Sequence, residues 1–300
     1  MRVEPISVRV PGSDGLSLHA LEWSRDGVAL VLLHGFGNDA HVWDDIAPAV
    51  APYYRTVAFD LRGHGDSDRH AGANYDYDAH VADLEAASEA LGIRRLVLVG
   101  HSLGGRIATL FAGRHPERLA GLAIVDSGPE LDARGTLRIQ LDMQRSAGDP
   151  ERGGAAGSPS FATESEYRDV LVRNYPAARP EVLRRMVRQG LRARPDGRFE
   201  PKLDPAWFRL RREAGEAEAR EREARLTREM WDALRAVPCP TLVIRGAASD
   251  VLSAEVADRM VDDVLRHGRL VVVPRASHSV MVDNPEGCRD ALTGFVLGEQ

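Results

Sequence analysis

Apolar residues along this chain follow two rhythms, short unbroken runs and positions spaced three or four apart. Residues 6–10 and 16–23 differ from both. Their apolar positions are interleaved with polar ones, and Pro11-Gly12-Ser13-Asp14-Gly15 lies between them, which predicts a hairpin at the antiparallel edge of a larger sheet. Runs at 28–33, 55–60, 96–99, 119–125, 240–245 and 270–273 read as further strands, buried where the run is continuous. Between them, helical spacing predicts helices over 43–50, 78–91, the stretch that begins near Arg106, 253–266 and 285–298. In 78–91, Val81, Leu84, Ala87, Ala90 and Leu91 fall on one face. This alternation implies a mostly parallel eight-stranded sheet with helices on both faces.

The rhythm breaks between residues 130 and 236. Helical patterns at 136–146, 164–175, 180–192 and 206–234 have no buried strands between them, and the Gly/Ser/Pro-rich piece 148–160 reads as a loop. The expected organisation is a core domain of residues 1–129 and 237–300, with 130–236 inserted as a helical cap. Arg and Glu are dense over 209–229, and pairs such as Glu218 with Arg222 read as a solvated helix face.

The chemistry gathers where the strands stop. Leu96 to Val99 runs into Gly100-His101-Ser102-Leu103-Gly104, and a helical pattern follows at once. This is the G-x-S-x-G pattern of a serine on a sharp strand-to-helix turn, with a helix N-terminus beside it. A phosphate loop would need Lys and Ser or Thr after Gly105, where Arg106 and Ile107 stand. A dinucleotide fingerprint needs G-x-G-x-x-G, which Gly100, Gly104 and Gly105 do not supply. A serine hydroxyl needs a base, and the base a partner to orient it. Asp250 and His278 each follow a predicted strand, in the chain order Ser, Asp, His, at the strand ends where open α/β sheets bind ligands. Asp126 also closes a strand and is the second candidate for the acid.

Composition narrows the class. The net charge of −6, spread along the chain, argues against a nucleic-acid partner. The first residues lack an apolar signal core and no stretch reaches membrane-spanning length, so a cytoplasmic protein without a membrane partner is expected. Cys239 and Cys288 have neither metal nor redox spacing. His64, Asp66, Asp68 and His70 form an H-x-D-x-D-x-H run, but zinc sites also draw ligands from other elements, and no metal is expected here.

The chain resembles the α/β-hydrolase superfamily, in its serine-nucleophile, cap-bearing esterase and lactonase-like branch. The resemblance rests on His34-Gly35-Phe36-Gly37, Asp60-Leu61-Arg62-Gly63-His64-Gly65-Asp66-Ser67, Gly100-His101-Ser102-Leu103-Gly104-Gly105, Gly246 with Asp250, and His278. It implies Ser102 as nucleophile, His278 as base, Asp250 as the acid orienting it, and the amides of Phe36 and Leu103 as oxyanion hole. Some members of the superfamily place the acid at the position of Asp126. His34, Gly35 and His101 are expected around the substrate, the histidines as supports. The implied substrate is a small ester or lactone, met by a monomer or homodimer without cofactor. The fold also hosts perhydrolases, carbon–carbon hydrolases and ligand receptors. Its dehalogenases and epoxide hydrolases resemble the fold but carry Asp where Ser102 stands.

Overall fold

Eight strands form one sheet in the order β1-β2-β4-β3-β5-β6-β9-β10 in the computed structural model, which describes residues 4–146, 159–207 and 215–298. The strands are β1 (Ile6–Pro11), β2 (Ser17–Glu22), β3 (Ala29–Leu33), β4 (Arg55–Phe59), β5 (Leu96–His101), β6 (Leu119–Val125), β9 (Thr241–Gly246) and β10 (Gly268–Val273). From β4 to β10 neighbouring strands pair in parallel, while β2 runs antiparallel to β1 and β4. The edge hairpin and the central run of strands therefore stand as the apolar pattern predicts.

The unbroken runs have a simple cause. Successive side chains of a strand point to opposite faces, and both faces are covered. On β5, Leu96 and Leu98 join a core with α2 (Tyr77–Ala90), α3 (Leu103–Arg114) and α7 (Glu216–Ala236). Val97 and Val99 join the opposite core, with α1 (Ala47–Val50), α9 (Val280–Asp283) and α10 (Pro285–Val296). Both layers are dry, which fixes the register that carries Ser102 out of the sheet.

Between β6 and β9 lie α4 (Ala133–Ser146), α5 (Glu164–Asn174), α6 (Pro180–Gly190) and α7. Helices α5 and α6 share a small core of their own around Leu171, Leu183 and Val187. The remaining helix, α8 (Ala254–Arg259), is capped by the Ser253 hydroxyl, which accepts from the Val256 amide.

Several expectations shift. The helix over 43–50 divides into a 3-10 turn, Ala40–Trp43, and the short α1. The helix over 180–192 stops at Gly190, and an antiparallel ribbon of β7 (Leu191–Ala193) and β8 (Phe199–Pro201) follows. The helix over 253–266 passes into a π-turn at Met260–Val264. Helix α7 begins at Glu216, and residues 208–214 of the helix expected from 206 lie outside the described residues. So does the expected loop as far as residue 158. No helix among the described residues is long and apolar enough to cross a membrane.

Candidate active site

Ser102 sits between β5 and α3 with φ 50 and ψ −113, in a region that side-chain-bearing residues avoid. The flanking glycines make this turn possible. A Cβ on Gly100 would stand 2.2 Å from the carbonyl oxygen of Gly104, and one on Gly104 would stand 2.5 Å from that of Leu33. The elbow is tied to its neighbours. Ser102 donates its amide to the Val125 carbonyl at 3.1 Å, Gly104 donates to His34 at 3.1 Å, and the Ser127 hydroxyl donates to the Ser102 carbonyl at 2.8 Å.

His278 stands in the loop between β10 and α9. Its Nδ1 lies 2.8 Å from Asp126 Oδ2 and its Nε2 lies 2.9 Å from Ser102 Oγ. A carboxylate only accepts, so Nδ1 carries the proton and Nε2 presents its lone pair to the serine hydroxyl. Asp126 is fully buried, while Ser102 is partly open. The structure thus gathers Ser102, His278 and Asp126 into one chain of hydrogen bonds.

It does not bring Asp250 into that chain. Asp250 forms a two-pronged pair with Arg138 of α4, at 2.6 and 2.9 Å. The bond from Arg138 holds its carboxyl below the usual range. The expectation that Asp250 is the carboxylate meeting His278 is therefore corrected: Asp126 holds that place. The reason is position: Asp126 ends β6, next to the nucleophile strand, and its φ of 45 turns the side chain under the imidazole. Asp250 ranks first on sequence, but the chain order Ser, Asp, His that supports it fits Asp126 equally well.

Phe36 and Leu103, the residues expected to supply the oxyanion amides, lie in segments that meet Ser102. A Cβ on Gly35 would lie 3.1 Å from Ser102 Cβ, so the loop after β3, with Phe36 next in it, passes against the nucleophile. Leu103 is the first residue of α3, where helix N–H groups have no carbonyl one turn back to meet.

The expected substrate-lining histidines serve the scaffold. His34 accepts from the Leu61 amide at 3.0 Å and donates through Nδ1 to the Gly35 carbonyl at 2.7 Å. Both of its nitrogens are thereby taken up in joining the β3 and β4 loops. His101 donates through Nε2 to the His278 carbonyl at 2.9 Å. Burial keeps both rings below the usual histidine range. Gly35 borders Ser102; the two imidazoles, expected around the substrate as supports, bond to backbone groups.

Residues 202–207 lie along the turn after β4. Lys202 pairs with Asp66 at 2.7 Å, Asp204 receives the Tyr75 hydroxyl, and the Asp204 amide donates to Gly63 at 2.8 Å. Trp207 stacks on Tyr75 with ring centres 4.6 Å apart and meets Phe36 edge-on at 5.3 Å. His64 and His80 pack beside it. Nε2 of His64, Nε1 of Trp207 and both nitrogens of His80 have no hydrogen-bond partner among the described residues. Sequence pattern gave no sign of this cluster.

The H-x-D-x-D-x-H run does not converge. His64 donates to Arg62, Asp66 meets Lys202, Asp68 accepts from the Ser17 amide, and His70 accepts from Asn74. His19, Asp60 and Asp66 do come within 4.8 Å of one another. Asp60 is already occupied there, taking the His19 ring at 2.8 Å and the amides of Ala40 and Asp66.

With this geometry in view, the comparisons are consistent. A 2-(acetamidomethylene)succinate hydrolase from Mesorhizobium japonicum is 24% identical over 273 residues, covering 90% of this chain and 88% of that protein. The crystal structure of E-2-(acetamidomethylene)succinate hydrolase superposes with a TM-score of 0.76 at 25% identity, over 97% of this chain and 99% of that one. A fluoroacetate dehalogenase from Burkholderia sp. is 41% identical, though only over 107 residues, 34% of this chain and about a third (35%) of that protein. The family model described as alpha/beta hydrolase fold matches residues 28–285, and this chain belongs to that family.

Proposed function

We propose that the chain is a serine hydrolase cleaving a small to medium carboxylic ester or lactone through an acyl-enzyme. The observation that carries this reading is the unbroken relay from Ser102 Oγ through His278 to Asp126, at 2.9 and 2.8 Å. Ser102 Oγ attacks the carbonyl carbon and passes its proton to His278 Nε2. Asp126 stabilises the imidazolium and keeps the ring in the tautomer that can accept. The amides of Phe36 and Leu103 hold the negative oxygen of the tetrahedral intermediate, a contribution of about 3–4 kcal/mol per donor where such donors have been removed. His278 then gives its proton to the departing alcohol. Water, deprotonated by the same imidazole, attacks the acyl-enzyme and frees Ser102.

The serine itself supports an ester-type acyl transfer over alkyl-halide displacement, which the dehalogenase branch carries out with Asp at this position. The test is turnover of p-nitrophenyl esters from acetate to decanoate by wild type and Ser102→Ala. Wild type is expected to turn over at least the short esters, and the variant to lose roughly 10³-fold or more in kcat. Equal rates in the two proteins would remove Ser102 from the mechanism.

A further inference from the structure

Resting on that reading, we propose that Ser249 is a positioning residue that fixes the Asp126 carboxylate against His278. Ser249 is buried in the loop between β9 and α8, one residue before Asp250. Its hydroxyl oxygen lies 3.2 Å from the Val251 amide and 3.1 Å from the Leu252 amide, both of which donate to it. A hydroxyl has two acceptor sites and one proton. With both acceptor sites filled by the loop's own backbone, the proton has one direction left, Asp126 Oδ2 at 2.6 Å. Ser249 is therefore a donor whose orientation is set before substrate arrives.

The carboxylate it meets has few other constraints. Oδ2 receives Ser249 and His278, and Oδ1 receives the Gly246 amide at 2.9 Å. Two of these three donors come from the end of β9 and the loop after it that also carries Asp250. That loop is itself gripped. Arg245 donates to the Leu252 carbonyl at 2.7 Å, and the Asp132 amide to that of Val251 at 2.9 Å. Arg138 clasps Asp250. The loop thus supplies a hydroxyl, and the end of β9 an amide, to the acid that follows the neighbouring strand. Without the hydroxyl, Oδ2 keeps only His278, and the carboxylate swings with the imidazole it should hold still.

The experiment compares Ser249→Ala, Ser249→Thr and Ser102→Ala with wild type on p-nitrophenyl butyrate, with melting temperatures for each. A displaced orienting group costs on the order of 10- to 100-fold. Ser249→Ala is expected to lose that much in kcat with KM within about two-fold, and Ser249→Thr, which keeps the hydroxyl, to recover most of it. If the alanine variant does not fold, Ser249→Cys, whose thiol is a weak donor, is expected to show the kcat loss in a folded protein. Full kcat in the alanine variant, or in the cysteine variant where that one decides, overturns the proposal. So does a loss confined to KM, or a threonine variant as slow as alanine. A dead Ser102→Ala beside a fully active Ser249→Ala sinks this inference alone; an active Ser102→Ala sinks the reading beneath it.

Discussion

Two aspartates close neighbouring strands of this sheet, and one hydrogen bond separates their roles. Asp126 accepts from His278 Nδ1, whereas Asp250 is held by Arg138. Asp126→Asn would present an amide where a carboxylate belongs and favour the wrong imidazole tautomer, so kcat is expected to fall on the order of 10⁴-fold. Asp250→Asn leaves the relay whole and is expected to keep kcat within about ten-fold. Steady-state kinetics of the two variants on one ester decides between them, and the reverse ranking would restore Asp250 as the acid. Ser102 and His278 were legible because each has a local signature: glycines forced by backbone contact, and a histidine after the last strand. The acid has no local signature. Its choice depends on which carboxylate the chain turns beneath the imidazole, and that follows from φ at Asp126 and from Arg138 folding back from a distant helix.

At the scale of elements, the strands of the sheet were readable because burial on both faces writes itself as unbroken apolar runs. The β7–β8 ribbon was not, since its short strands carry Arg192 and Glu200 and pair in isolation from the sheet. Nor was the docking of residues 202–207, which rests on contacts between segments more than 125 residues apart in sequence. Tyr75 anchors that segment through Asp204, and burial together with this bond raises the phenol far above its ordinary range. Tyr75→Phe removes the donor and leaves a buried carboxylate one partner short, a cost of about 1–3 kcal/mol. A lower urea midpoint is expected, with altered Trp207 emission and a raised KM from a loosened wall beside Phe36. An unchanged midpoint would mean that Asp204 finds water instead.

Across the whole molecule, the interior holds more imidazole than it can hydrogen-bond. Burial drives His64 down to about 3 and keeps His34, His80 and His101 below the ordinary value, so these rings stay neutral in the fold. In the unfolded chain they charge below about pH 6.5. The unfolded state then binds more protons, so stability is whole above that pH and is lost as pH falls toward the folded values, by up to about 1.4 kcal/mol per unit for each such ring. His80, with neither nitrogen paired, is the cleanest probe. His80→Phe is expected to stay within about 1 kcal/mol of wild type at pH 8 and to unfold at higher urea than wild type at pH 5. Parallel pH profiles for the two proteins would assign the acid sensitivity elsewhere.

Ser102 and Asp126 follow adjacent strands, 24 positions apart, and the loop of Phe36 comes earlier still. Ser102, Asp126 and the Phe36 loop are thus laid down before the chain departs into residues 130–236, and His278 with the donors Gly246 and Ser249 is collected on its return. On the proposed reading, such an order makes residues 130–236 a replaceable part. A lineage can rewrite it, or an engineer graft another in its place, without separating serine from aspartate. The join that a graft must respect is the clasp at Asp250, where the insert grips the loop whose hydroxyl steadies the acid.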